Sequence, residues 1–592
     1  MKRQLLLFSV FFLSLFSIQA RSFILNGINY NITSAVSPYS VSVITGVKYT
    51  GDVVIPLTVS HNDTVFSVTS ISSNAFNGSG GLTSVSIPNS VTSLGVGAFY
   101  GCNVLRSINL DPMNPNFVFA DGILFTKSKS QIIFCLTSKT GKIEIPQTVT
   151  TIGTGAFYEC NGITSVSIPN SVASIGLQAF YNCTGVATVD IGDSLNTGSQ
   201  NDIIIQSTAF TGCSGLTTLH LNLPLAAYYN PFQNLSTLKT LAIGNSVTTI
   251  NYITFSTLSG LSKVTLGRAD LSPVIISVSL GAFSGSANLN SLNLNCNLQI
   301  PNYITGAVSP FSSISSLSIG DKVTSIGDYA LIGSKNLKNI SVSNAVTSIG
   351  SSAFAGCTQV TGIILGSSVA KLGTGVFTGC SSLLNINVNS SNTSYSSING
   401  VLFSVDKRTL ILYPCGRSGV FEIPLTVKTI GASAFLSCTG LQSIIIPQAI
   451  TSIQSSAFTG CSGLTNVTIG HADSISTAVV AVSGDAFTNC TGIATLALNK
   501  TISFPDGDNS PFRNLAALTT LYAGNGVSAI TDFTFSGCTG LTFVRLGQKN
   551  SDGINDINIS GSAFYGCKNF SSLELNRSVD VTFYETSPFA SI

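Results

Sequence analysis

The chain has 592 residues, 44% of them hydrophobic and only 8% charged, with a formal net charge of +2. Disordered chains combine low hydrophobicity with high net charge, so disorder is excluded for the bulk of the molecule. A charge so close to zero also supplies no field to steer nucleic acid or anionic lipid, and no Lys/Arg cluster marks one stretch as basic.

The chain opens on Met1, Lys2 and Arg3, continues with an apolar run from Leu5 to Phe16, and reaches a small residue at Ala20. A basic start, a short apolar run and a small residue mark a secretory signal peptide over residues 1–20, cut near Ala20. The run falls short of the roughly 20 apolar residues that a spanning helix needs, and no later stretch reads as transmembrane. The mature chain is therefore expected to be secreted or at the cell surface. Residues 21–70 form the next segment, in which Phe23-Ile-Leu-Asn-Gly-Ile-Asn-Tyr30 and Val65-Phe-Ser-Val68 read as strands of an N-terminal β cap.

From residue 71 onward the sequence repeats about every 23 residues. Leu82-Thr-Ser-Val-Ser-Ile-Pro-Asn-Ser-Val-Thr-Ser-Leu-Gly95 returns as Ile163-Thr-Ser-Val-Ser-Ile-Pro-Asn-Ser-Val-Ala-Ser-Ile-Gly176, each followed by Ala-Phe-Tyr and then a cysteine. A period of this size predicts a solenoid, in which each repeat buries its apolar face only by stacking on its neighbours. Strand segments of the form apolar-x-x-apolar-x-apolar recur from Leu82 to Phe570, with longer spacings near 193–203 and 471–482 that read as loop insertions.

One repeat shows the physics. Leu82, Val85 and Ile87 should point inward on a strand, which Pro88 ends because it has no N–H for the ladder. Val91 and Leu94 form a second short inward segment, and Gly95 and Gly97 allow a tight corner. Ala98 and Phe99 then pack beneath an outer helical or 3₁₀ turn, and Cys102 closes the coil. The phenylalanine recurs at Phe76, Phe157, Phe180, Phe210, Phe255, Phe283, Phe354, Phe377, Phe435, Phe458, Phe487, Phe535 and Phe564, which predicts a stacked aromatic spine.

Two intervals, Leu105 to Ile163 and Leu383 to Leu441, are longer than the rest and hold the same insertion: a β-hairpin near 116–140 and again near 395–415. They expose a larger period. Leu82 corresponds to Val360, Leu105 to Leu383 and Ile163 to Leu441, so a first block over 71–350 is duplicated in a second over 351–592. Ser587-Pro-Phe-Ala-Ser-Ile592 matches Ser309-Pro-Phe-Ser-Ser-Ile314, where the earlier copy runs on. The expectation is that the second block is cut short at its C-terminus, with any surface-attachment region lying beyond it.

The segment Leu82 to Cys102, with its Leu-x-x-Val-x-Ile-Pro strand and its Ala-Phe-x-x-Cys tail, resembles the BspA-type leucine-rich repeats. The resemblance covers roughly residues 53 to 592 and departs from the pattern at Tyr329-Ala-Leu331, where the phenylalanine is missing. It implies a strand-rich α/β fold: a curved leucine-rich-repeat solenoid of about 20 turns, with a parallel sheet on the concave face and short helical turns outside. It further implies a secreted or surface protein linked with adhesion to host molecules or other cells.

The residues that carry chemistry are few. Most of the 14 cysteines occupy one slot per repeat, which predicts a column of free, buried thiols donating weakly to backbone oxygens. Cys135 and Cys415 lie off that column, after each hairpin, and read as equivalent to each other. No Cys-x-x-Cys spacing suggests zinc. Of the three histidines, His220 falls on an exposed strand position and His61 and His471 in loops, none beside an evident carboxylate partner or catalytic motif. Asp506-Gly-Asp-Asn509 lacks the further ligands of a calcium loop and reads as a turn. Neither an enzyme activity, a cofactor nor a metal is expected.

Partner binding is expected on the outward strand positions, the third and fifth of each segment. Most are small hydroxyls and amides, such as Ser165/Ser167 and Asn466/Thr468. Larger groups break the pattern only near the C-terminal end, where Tyr and Arg, residue types enriched in binding hot spots, occur together. The candidate binding residues are Thr520, Tyr522, Phe543, Arg545, Ser572 and Glu574, facing an extracellular protein or glycan ligand. The competing readings are a structural envelope or surface-layer protein without a specific ligand, and the binding part of a longer multidomain secreted protein.

Overall fold

The computed structural model describes residues 22–193, 202–226, 230–472, 478–504, 510–548 and 556–582. The expected signal peptide, Asp506-Gly-Asp-Asn509 and Ser587–Ile592 lie outside the described residues.

The repeat folds as its apolar spacing requires. In the strand Gly81–Ile87 the side chains of Leu82, Val85 and Ile87 are buried while those between them are not. Pro88 ends the strand, its carbonyl accepting the N–H of Val91 in a turn, and the short strand Ser93–Leu94 follows. Successive repeats then pair in parallel at matching positions. Val166, Val189, Leu219, Leu241 and Val264 lie directly opposite one another down one sheet, all fully buried. In-register pairing of equivalent residues lets each coil extend the dry interior of the last, so stability is carried by nearest neighbours.

The described chain divides into two compact units, Met1–Leu266 with Gly281–Leu289, and Gly267–Leu280 with Asn290–Ile592. The first begins with an antiparallel arrangement in which Ser22–Leu25 pairs with Ile28–Ser34, and Thr58–His61 with Thr64–Ile71. His61 therefore ends a strand rather than lying in a loop, and its ring stacks on Phe23 at 4.0 Å. The second contains the parallel run Gly419–Glu422, Leu441–Ile446, Asn466–Ile469, Thr495–Leu498, Thr520–Ala523, Phe543–Leu546 and Ser572–Leu575.

The expected outer helical turns are absent: among the described residues there is no helix of either kind. Backbone hydrogen bonding explains why. Along Gly155 to Cys160 the N–H groups alternate in purpose. Those of Ala156, Tyr158 and Cys160 close turns within the coil, onto Gly153, Gly155 and Phe157 oxygens. Those of Gly155, Phe157 and Glu159 donate to the next coil. Positive φ at Gly155 (62°) and Glu159 (57°) takes both ends of this segment out of the right-handed helical region. The outside of the stack is thus a second ladder.

The phenylalanine spine is present in both units. Ring centroids lie 4.9 Å apart for Phe157 and Phe180, 5.2 Å for Phe180 and Phe210, and 4.7 Å for Phe435 and Phe458, in near-parallel planes. Three members escape the Ala-Phe pattern because proline replaces the alanine: Phe232, Phe311 and Phe512, all fully buried. At the departure Tyr329-Ala-Leu331, Leu331 fills the same buried place.

Each insertion is a three-stranded meander rather than a bare hairpin. Phe117–Ala120, Ile123–Thr126 and Gln131–Cys135 pair antiparallel, and the last rejoins the parallel stack beside Thr151–Ile152. Tyr395–Ile398, Val401–Ser404 and Thr409–Leu412 do the same, rejoining beside Thr429–Ile430.

The thiol column holds with one correction. Cys183, Cys213 and Cys461 donate to the Phe157, Phe180 and Phe435 oxygens of the preceding coil at 2.9, 3.0 and 3.1 Å. Cys415 and Cys438, however, form a disulfide, with Cα atoms 4.4 Å apart. Parallel projection within the column argues against bridges between its own members, but Cys415 follows the returning strand and meets the column from beside it. Nor do Cys135 and Cys415 correspond. The Cys135 N–H donates to Ala156 as the Tyr413 N–H donates to Ala434, so Cys135 matches Tyr413 and the counterpart of Cys415 is Thr137.

Candidate interaction surface

Strand pleating sends the third and fifth positions of each segment away from the core, and in-register pairing lines them up in two rows across the sheet. In the first unit one row runs Lys142, Ser165, Thr188, Thr218, Thr240 and Lys263, and the other Glu144, Ser167, Asp190, His220, Ala242 and Thr265. Half of these twelve residues carry hydroxyls, and Lys142, Glu144, Asp190, His220 and Lys263 add polar or charged groups. The expectation of an unpaired histidine is overturned here: His220 Nδ1 lies 2.5 Å from Asp190 Oδ1. The two occupy the same position of consecutive repeats, so the register that builds the sheet also builds the pair.

In the second unit the rows change character. Thr495, Thr520, Phe543 and Ser572 lie opposite one another in one, and Ala497, Tyr522, Arg545 and Glu574 in the other. All six predicted residues therefore fall on three consecutive strands, Ser572 exposed and the rest half-buried. Arg545 organises them. Its Nε is 2.8 Å from Glu574 Oε2, and its guanidinium carbon lies 5.0 Å from the Tyr522 ring centre and 5.6 Å from that of Phe543. The two rings meet edge to face with centroids 6.0 Å apart. Asn576 Nδ2 donates to Glu574 Oε1 at 3.1 Å, so both carboxylate oxygens are engaged.

This arrangement holds a cation between two aromatic faces with its counter-charge fixed behind it. Such contacts at half-exposed sites are each worth about 0.5–1 kcal/mol. Their larger effect is to hold the side chains still, which lowers the entropy lost on binding. Tyr522 is walled on one side only, because Ala497 opposite it ends at Cβ. On that side Thr495 and Thr520 lie opposite one another in the neighbouring row.

Sequence reasoning missed Ala497 and Asn576, which complete this site, and the pairing of Asp190 with His220. A second aromatic group on the outer side also went unforeseen. Arg513 lies 5.4 Å over the Phe533 ring, which meets Tyr565 edge to face at 6.5 Å. Register arithmetic from the repeat spacing would have found the first three, whereas the outer group depends on turn positions whose direction the sequence does not declare. Among the described residues no cluster of three or more His, Cys, Asp or Glu side chains could hold a metal, and no helix is long and apolar enough to cross a membrane.

Six copies of the BspA type leucine rich repeat region match the chain, at residues 61–123, 127–201, 197–305, 307–404, 411–542 and 474–591. Among solved structures, the chain is similar to a leucine rich cell surface protein from Faecalibacterium prausnitzii (19% identity, 94% of this chain and 95% of that one, TM-score 0.26). It is also similar to the pneumococcal vaccine antigen PcpA (15% identity, 95% and 98%, TM-score 0.32). A third is a leucine-rich repeat protein from Eubacterium ventriosum (18% identity, 78% and 91%, TM-score 0.33). No curated protein matches.

Proposed function

Because the chain belongs to the family of BspA-type leucine-rich-repeat proteins, we propose that it is a non-catalytic recognition or adhesion protein, secreted or held at a cell surface, whose outward strand rows bind an extracellular protein or glycan. The observation that carries the reading is the Tyr522–Arg545–Glu574 row with Phe543 beside it. It is a fixed aromatic and cationic cluster, and the two preceding strands carry only the smaller Asn466, Thr468, Thr495 and Ala497 at the same positions. Thr520 and Ser572 supply hydrogen-bonding rims to the same patch.

A repeat face with one anchored cluster concentrates binding energy in a few residues and leaves the remaining contacts to complementarity. The test is a glycan array together with binding of the labelled protein to intact cells. Specific hits that Tyr522→Ala and Arg545→Ala each abolish support the proposal. Hits that survive both changes move the site elsewhere, and uniform non-binding favours an envelope-layer protein without a specific ligand.

A further inference from the structure

The outer ladder has a direction. Gly155, Phe157 and Glu159 donate their N–H groups to the Leu177, Ala179 and Tyr181 oxygens of the next coil at 2.9, 2.7 and 2.8 Å. One coil earlier this ladder is broken. The oxygens of Val96, Ala98 and Tyr100 accept from Asn74, Phe76 and Gly78. The N–H groups of Gly97, Phe99 and Gly101, however, have no partner among the described residues. The stretch that follows is the meander insertion, which brings no outer turn. Gly97 and Phe99 are buried, so each unpaired N–H forfeits a hydrogen bond it would have made to water. The N–H groups of the buried Phe210 and Phe487 also lack a partner among the described residues, and what distinguishes Gly97 and Phe99 is the open groove beside them.

Gly97 and Phe99 border a groove of about 590 Å³ between the outer turn and the returning strand, with Phe117, Gln131 and Thr154 among its walls. The duplicated block has the same groove beside its own insertion, where Gly375 and Phe377 also lack partners for their N–H groups. There it measures only about 270 Å³. Tyr395 stands in the place of Phe117, and its hydroxyl accepts the Leu372 N–H at 3.2 Å. The second groove is partly filled by the chain itself, and the first is open.

We propose that the groove beside the first insertion takes an extended peptide segment of a partner protein, which completes the broken ladder by backbone hydrogen bonding. Along the outer turn the groove presents unpaired backbone donors at alternate residues, Gly97 and Phe99, with the hydroxyls and amides of Ser93, Asn116 and Gln131 elsewhere in its wall. Its occupant must present acceptors at that spacing, as the carbonyls of a peptide do and the mixed hydroxyls of a sugar do not. Lys127 is the one charged residue of the lining, and its Nζ is already engaged by Asn114 O at 2.9 Å. The fitting segment is therefore uncharged, with an aromatic side chain to meet Phe99 and Phe117. This site is separate from the strand-face reading and stands or falls without it.

The probe is a labelled heptapeptide with the sequence of residues 176–182, Gly-Leu-Gln-Ala-Phe-Tyr-Asn, which carries the acceptors that fill this ladder one coil later. Fluorescence polarisation with the intact protein should show saturable binding. Hydrogen exchange followed by mass spectrometry should slow at least tenfold over residues 95–101 and stay unchanged over 155–159. Phe117→Tyr, which copies the second block, should weaken binding at least fivefold without moving the melting temperature. Exchange over 95–101 that the peptide leaves untouched means a groove filled by water alone and overturns the proposal. So does equal binding by Phe117→Tyr, or self-association of the protein that the peptide cannot displace.

Discussion

The guanidinium carbon of Arg545 lies 5.0 Å from the centre of the Tyr522 ring, across two strands paired in register. Neither residue belongs to the interior, and each has lost only part of its exposure. Tyr522→Ala and Arg545→Ala should each change unfolding free energy by no more than about 1 kcal/mol in a urea titration. A larger loss would mean that the cluster is structural, and any binding defect of these variants would then have no bearing on recognition.

The spine behaves differently. Phe180 is buried between Phe157 and Phe210, with centroids 4.9 and 5.2 Å away. Phe180→Ala should cost about 3–5 kcal/mol. Because each coil rests only on its neighbours, hydrogen exchange should accelerate in the coils around residues 157–210 well before it does around Phe458.

The period carried most of this to the surface of the sequence. Inward positions such as Leu82, Val85 and Ile87, and spine members such as Phe157, follow from spacing alone, because a parallel stack returns the same position to the same place. What escaped were features set between repeats. The outer turns were misjudged as helical because the donor alternation from Gly155 to Glu159 depends on where the next coil places its oxygens. The disulfide was missed because Cys415 reaches Cys438 from a returning strand whose alignment with the first block is offset by two residues from the visible cysteine match. The Asp190–His220 pair was within reach, since both occupy the same position of adjacent repeats.

Burial pushes the Cys102 thiol up to about 11 and those of Cys213, Cys357 and Cys538 to about 12, from an ordinary value of 9. Below pH 9 both folded and unfolded chains hold these protons, so they impose no pH dependence. Above it the unfolded thiols ionise while the folded ones cannot, and stability falls as pH rises. The slope should be about 1.4 kcal/mol per thiol per pH unit up to the folded values. Urea midpoints measured from pH 8 to 11 should decline only above pH 9, and Cys213→Ala should reduce the slope.

Cys415 and Cys438 close a loop with a sequence separation of 23, and the other twelve cysteines are free. Alkylation of the unfolded, unreduced protein should modify twelve thiols, rising to all 14 after reduction. Cys415→Ser should cost about 3 kcal/mol through the restored freedom of the unfolded loop. Conversely, Thr137→Cys places a thiol where Cys415 stands in the second block, and mass spectrometry should find it joined to Cys160.

Recognition as proposed belongs to the outward strand rows of the second unit and not to its outer turns. A photo-reactive phenylalanine analogue introduced at Ala497, beside the open side of Tyr522, or at Phe533, in the outer aromatic group, separates the two on intact cells. Strong crosslinking from position 497 that Arg545→Ala suppresses, with little from position 533, is the predicted result. Crosslinking from position 533 alone would contradict it.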